Sequence, residues 1–193
     1  MNAASDNNQD IKILAFAGSL RSGSYNKAIL RAAKKLAPKS MNIHIFDLEG
    51  IPLYNADVEA NGDPGRVMEF KEAIRRSDGL LIATPEYNHG VPAVTKNAID
   101  WASRPAKNAP LNEKPVGILG ASPGRTGSAR GQSQLRQAFE FTNSYCMPQP
   151  EILVSLAHKK FDNDGALTDE TTRKYLEKYL EALYDWINKF SDQ

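Results

Sequence analysis

Residues 18–26, Gly-Ser-Leu-Arg-Ser-Gly-Ser-Tyr-Asn, gather three hydroxyls (Ser19, Ser22, Ser24), one amide (Asn26) and one permanent cation (Arg21) within nine positions. They lie between an apolar run, residues 11–17, and a helical pattern, residues 27–36. A tight turn from a strand end into a helix start leaves several backbone N–H groups unpaired at the positive end of the helix dipole. Hydroxyls, an amide and a guanidinium added to those N–H groups make an inventory that grips a phosphate monoester. A Walker loop is excluded, because Gly23 is followed by Ser24 and Tyr25 with no lysine. The dinucleotide fingerprint also fails, since Leu20 stands where a glycine is needed. The plainer alternative is a surface loop whose serines only cap a helix.

Two further polar loops follow apolar runs. Residues 84–92 read Thr-Pro-Glu-Tyr-Asn-His-Gly-Val-Pro, stiffened by two prolines and made polar by Glu86, Tyr87, Asn88 and His89. Its plain reading is a connecting turn with Tyr87 packed and Glu86 solvated. Residues 121–131 set Ser122, Gly124, Arg125 and Thr126 among further glycines and a proline. Here Gly120-Ala121-Ser122-Pro123-Gly124 matches the G-x-S-x-G nucleophile turn of serine hydrolases, with Glu140 or Glu151 and then His158 in the required chain order. The match has a chemical flaw: the oxyanion hole of that fold uses the N–H of the residue after the nucleophile, and Pro123 has none. About 2.7 to 4 kcal/mol of transition-state stabilisation goes with it.

The elements that must position these loops alternate. Strand patterns at residues 11–17, 42–46, 79–83, 115–120 and 152–155 are separated by helical patterns at 27–36, from Asp63-Pro64 to 77, at 93–103 and on to 141, with a last helix over 168–190. Asp63 and Thr168 are the expected caps of two of these helices. Five such alternations predict an α/β fold, a parallel sheet with helices on both faces, whose right-handed crossovers bring every strand-end loop to one edge. In a flavodoxin-like three-layer sandwich, a five-stranded sheet in the order 2-1-3-4-5, the first and third loops flank the crevice in which FMN sits.

Composition sets the remaining bounds. The chain has 193 residues, 41% of them hydrophobic, and fits one domain over residues 11–193 preceded by a polar tail, residues 1–10, read as frayed and cytoplasmic. A net charge of +1 with no basic stripe argues against nucleic acid or an anionic membrane as partner. The single cysteine, Cys146, excludes a disulfide framework and suits a reducing compartment. The three histidines are scattered, so no metal site is expected.

Gly18-Ser19-Leu20-Arg21 with Ser24 and Asn26, then Thr84-Pro85-Glu86-Tyr87-Asn88 and Lys96-Asn97-Ala98-Ile99-Asp100-Trp101, resemble the NADPH-dependent FMN reductases, in the branch with bacterial quinone and chromate reductases. The resemblance covers residues 12–189. It implies that Ser19, Arg21, Ser24 and Asn26 hold the FMN phosphate, and that Pro85, Glu86, Tyr87 and Asn88 line the isoalloxazine. Ser122 and Gly124 then approach the ring from the fourth loop, where N–H groups near its pyrimidine end favour the charge gained on reduction. No side chain is expected to act as acid or base. The implied reaction passes two electrons from NADPH, or NADH, through flavin to a quinone, azo compound, chromate or free flavin. A homodimer or homotetramer is implied too, with the helix after Pro92 at the interface and Ile99 off its apolar stripe. Arg104 and Arg130 are candidates for the NADPH phosphates. A non-enzymatic electron carrier is the alternative on the same fold, although its usual one-signed surface has no counterpart in a net charge of +1.

Overall fold

The structure, a computed structural model, describes residues 10–190. Apart from Asp10, the expected tail falls outside them. β1 (Ile11–Ala17) leads into α1 (Tyr25–Leu36), then β2 (Met41–Phe46), the short α2 (Ala56–Ala60), α3 (Gly65–Arg75), β3 (Gly79–Ala83) and α4 (Ala93–Ala102). β4 (Pro115–Ala121), α5 (Ala129–Phe141), β5 (Tyr145–Cys146), β6 (Ile152–Val154) and α6 (Glu170–Asn188) complete the chain. All strand pairs are parallel. The sheet runs β2-β1-β3-β4, with β5 and β6 both on the free side of β4, so the order is the flavodoxin-like one.

The fifth position is filled twice. β5 pairs with Pro115 and Val116, and β6 pairs with Leu119, Gly120 and Ala121. β6 is the strand read from the sequence at 152–155, and β5 is a short additional strand before it; the intervening Pro148 and Pro150 have no N–H to give a ladder, which keeps the two apart.

β3 and β4 are buried along their whole length, as parallel strands covered on both faces must be. α1 and α6 cover one face, and α3, α4 and α5 the other, so two apolar layers flank the sheet. The α6 stripe Leu176, Leu180, Leu183 and Ile187 is buried as its spacing predicts. Gly117 lets α6 approach closely: a Cβ there would lie 2.8 Å from the Tyr179 hydroxyl and 2.9 Å from Leu183. That hydroxyl donates to the Ile118 carbonyl at 2.8 Å, and burial pushes its pKa upward.

Three sequence expectations are corrected. Asp63 does not cap α3; its carboxylate lies 2.6 Å from the ammonium of Lys71, whose side chain is only 2% exposed and needs a counter-charge more than the helix needs a cap. α6 is capped by Asp169, which accepts from the Thr172 N–H at 2.8 Å, and not by Thr168. Ile99 is 2% exposed and packs in the sheet core, so it supplies no surface for a second subunit.

The long connection before α3 is fastened to α4 by polar contacts. Asn97 accepts from the Tyr54 N–H and donates to the Pro52 carbonyl, which Trp101 Nε1 also reaches at 2.8 Å. Tyr54 packs edge-on against Trp101 and donates to Glu59 at 2.8 Å.

Candidate functional site in the strand-end cleft

The three polar loops meet where β1, β3 and β4 end, side by side in the sheet. Gly18 allows the first loop to turn. Its N–H donates to the Ala83 carbonyl at 2.9 Å, and a Cβ at Gly18 would fall 1.8 Å from Thr95 Oγ1 beneath it. Beyond that point the loop's N–H groups are open: those of Ser19, Leu20, Arg21, Ser22, Gly23 and Tyr25 find no acceptor among the described residues.

α1 itself is capped by a neutral group. Ser24 Oγ accepts from the N–H groups of Asn26 and Lys27, at 3.2 and 3.4 Å, and no acid lies in the first turn. The positive end of the helix therefore keeps its field. The Arg21 guanidinium lies over this loop, with Nη1 2.9 Å from where a Cβ on Gly23 would stand, and it has no ion pair among the described residues.

Asn26 is spent elsewhere. Its Nδ2 donates to the Ala121 carbonyl at 2.9 Å and its Oδ1 accepts the Ala121 N–H at 3.0 Å. This buried double bond ties the first loop to the end of β4. Asn26 thus sets the distance between two walls of the cleft, and one Nδ2–H is the only side-chain group it has left over.

The third loop inverts the plain reading of its sequence. Tyr87 is 52% exposed, while the Glu86 side chain is only 8% exposed. Glu86 accepts from the N–H groups of Arg130 and Gly131 at the start of α5, at 2.9 and 3.4 Å, and from Arg130 Nη1 at 3.1 Å. Burial pushes its pKa up, but these bonds outweigh that and leave it below the ordinary glutamate value. Pro85 is buried, and Tyr87 and Gly90 exchange two backbone bonds across Asn88 and His89. With φ of 51° and 65° these two residues make a tight hairpin turn that presents Tyr87 at the rim. The phenol sits 3.4 Å from Ser19 Oγ, a long contact across the cleft.

In the fourth loop Ser122 Oγ accepts the Gly124 N–H at 3.1 Å. The Leu156 and Ala157 N–H groups bond to the Gly124 and Ser122 carbonyls, tethering the loop at its base. Gly127 and Ser128 have positive φ, 59° and 71°, and the N–H groups of Thr126, Gly127 and Ser128 have no acceptor among the described residues. Gly127 lies in the fourth-loop stretch read from the sequence, whereas Ser128 has no signal there beyond a glycine just ahead of a helix start. Thr95 gave none, because its part is to floor Gly18.

Ser122 is not arranged as a hydrolase nucleophile. No bond joins it to His158, which is exposed, and Glu151 faces Arg136 at 3.9 Å. Arg104 and Arg130 are both engaged by carboxylates, Glu59 at 3.0 Å and Glu86 at 3.1 Å.

The first loop fits a phosphate by its open N–H groups, neutral cap and guanidinium without an ion pair among the described residues, and the Tyr87 rim with the half-buried Thr126 amide fits a flat ring carrying carbonyl acceptors. FMN has both parts. The family NADPH-dependent FMN reductase matches residues 11–159. An NAD(P)H-dependent FMN reductase of Pseudomonas aeruginosa is 49% identical over 93% of this chain and 97% of its own. A quinone reductase of Escherichia coli K12 is 39% identical over 94% and 97%. The solved flavoenzyme NAD(P)H:(acceptor) oxidoreductase FerB of Paracoccus denitrificans superposes with a TM-score of 0.85 at 35% identity, covering 93% of this chain and 98% of that one. The chain belongs to the NADPH-dependent FMN reductase family.

Proposed function

We propose that this chain is an FMN-dependent oxidoreductase that takes two electrons from NADPH or NADH and passes them to a quinone or a similar small acceptor. The observation that carries the reading is the first loop, where six N–H groups without acceptors surround a neutral helix cap beneath Arg21. FMN, when bound, supplies the hydride chemistry. The chain's own residues do the rest. Ser19, Ser24 and Arg21 with the loop amides hold the phosphate, and Ser24 does so through its O–H while its oxygen accepts from the helix. Pro85, Tyr87 and Asn88 form one wall of the ring site, while Glu86 acts from behind by fixing that wall to α5. Ser122, Gly124 and the Thr126 amide close the pyrimidine side, where hydrogen-bond donors stabilise added negative charge. Asn26 holds the two walls at a fixed separation.

Relatives named for NAD(P)H, FMN and quinones support an enzyme over a passive carrier. The reading includes a cytoplasmic location and a homodimer or homotetramer. With Ile99 buried, support for an assembly moves to the exposed apolar residues Leu20 and Leu53, which edge a hollow of about 160 Å³ with Ile51 and Val94. Leu53 is 78% exposed.

The test is the absorbance of the purified protein and its titration with FMN, followed by NADPH oxidation with and without benzoquinone. The expected result is stoichiometric FMN uptake and quinone-dependent oxidation. A protein that binds riboflavin and FMN equally would remove the phosphate loop from the account. FMN uptake without NAD(P)H oxidation would favour the carrier.

A further inference from the structure

The loops that border the cleft carry two arginines with no carboxylate partner among the described residues, and only one is needed for the flavin phosphate. Arg104, Arg130 and Lys27 face Glu59, Glu86 and Asp47. Arg21 belongs to the first loop. Arg125, exposed in the fourth loop, makes no hydrogen bond or ion pair with any described residue. It is not on a slack segment. Immediately before it, Gly124 is held by Leu156 and Ser122, and two residues later Gly127 lies against the Leu153 backbone, 2.5 Å from where its Cβ would stand. A guanidinium on a tethered base loses less freedom on meeting an anion than one on a mobile tip.

The start of α5 cannot serve that anion, because the Glu86 carboxylate already occupies its first N–H groups. A second phosphate at this end of the cleft is therefore left to the fourth loop, whose cation is Arg125. Building on the oxidoreductase reading, we propose that Arg125 is a specificity-determining residue: it holds the 2′-phosphate of NADPH, and through it the chain tells NADPH from NADH. The planar fork of arginine suits a phosphate monoester dianion, and NADH offers it only a hydroxyl.

Calorimetric titration of the full-length, FMN-loaded protein with adenosine 2′,5′-bisphosphate and with 5′-AMP tests this without turnover. The bisphosphate is expected to bind about tenfold or more tighter, the scale of one or two charge-assisted hydrogen bonds, and Arg125→Ala to erase the difference while Arg125→Lys restores part of it. The NADPH to NADH ratio of kcat/KM should fall by the same factor. Equal binding of the two nucleotides by the wild type, a ratio untouched by Arg125→Ala, or the same loss in Arg21→Ala would each overturn the assignment. A protein that oxidises neither coenzyme would count against the oxidoreductase reading, whereas the bisphosphate to monophosphate ratio alone decides Arg125.

Discussion

α1 and α5 both begin at the cleft, and they are finished in opposite ways. α1 has a neutral serine cap, no acid in its first turn and a preceding loop of open N–H groups. α5 has no cap from its own Ser128, and its first N–H groups are closed by Glu86, a carboxylate borrowed from the neighbouring loop. A helix start is an anion site by default. Where the chain provides the anion, the site becomes a clamp between loops; where it withholds one, the site is left for a ligand. In the proposed function that difference is why the phosphate is placed at α1, while the start of α5 has a structural role.

The comparison breaks most severely if the two loops are uncoupled. Asn26→Ala removes both bonds to Ala121 and leaves a buried N–H and carbonyl there unpaired, at about 1–3 kcal/mol each. We expect a loss of roughly 2–5 kcal/mol in urea unfolding, with weakened FMN binding because the walls drift apart. A variant that keeps its stability and loses only FMN would return Asn26 to the phosphate. Arg21→Ala sharpens the other half of the contrast. It should leave unfolding within about 0.5 kcal/mol of the wild type, as exposed positions do, and weaken FMN by about tenfold to a hundredfold while leaving riboflavin untouched. Fluorescence quenching of the two flavins measures both.

Glu86→Gln probes the clamp at α5. Its carboxylate has a lowered pKa in the folded chain, so its contribution to stability is present above the ordinary glutamate value, near 4.3, and is lost as pH falls through the lowered folded value. Glu86→Gln should cost about 1–2 kcal/mol at pH 7 and progressively less as pH falls below the ordinary glutamate value. Equal destabilisation across that range would show that the charge of Glu86 contributes nothing.

The strand–helix alternation and the three loops are legible in the sequence because each rests on local chemistry, namely apolar runs, helix spacing, and glycine or proline at the turns, whereas the strand order came with the flavodoxin-like pattern. The sequence could not separate residues that touch ligand from residues that hold the loops that do. Asn26 and Glu86 look like ligand groups by type, yet their partners, Ala121 and the Arg130–Gly131 N–H groups, lie 95 and 44–45 positions away. Ile99 misled for a related reason. A helix under two neighbouring layers buries more than one stripe, so a residue off the main stripe is still inside. β5 went unread because it is two residues long, below the length at which alternation can be read.

The smallest expected effect tests whether the contact across the cleft matters in the absence of ligand. The Tyr87 phenol lies 3.4 Å from Ser19 Oγ, beyond the range of a good O–H···O bond; Tyr87 is half exposed and reaches water, and the buried Ser19 gives up only a long contact if it is lost. Tyr87→Phe should therefore change unfolding by less than about 0.5 kcal/mol and leave FMN affinity within about twofold, since the ring wall survives and only a hydroxyl is removed. Tyr87→Ala, which removes the wall, should weaken FMN and riboflavin together, where Arg21→Ala weakens FMN alone. If Tyr87→Phe matches Tyr87→Ala, the hydroxyl and not the ring is what this loop contributes, and Ser19 would be held for its partner rather than for the phosphate.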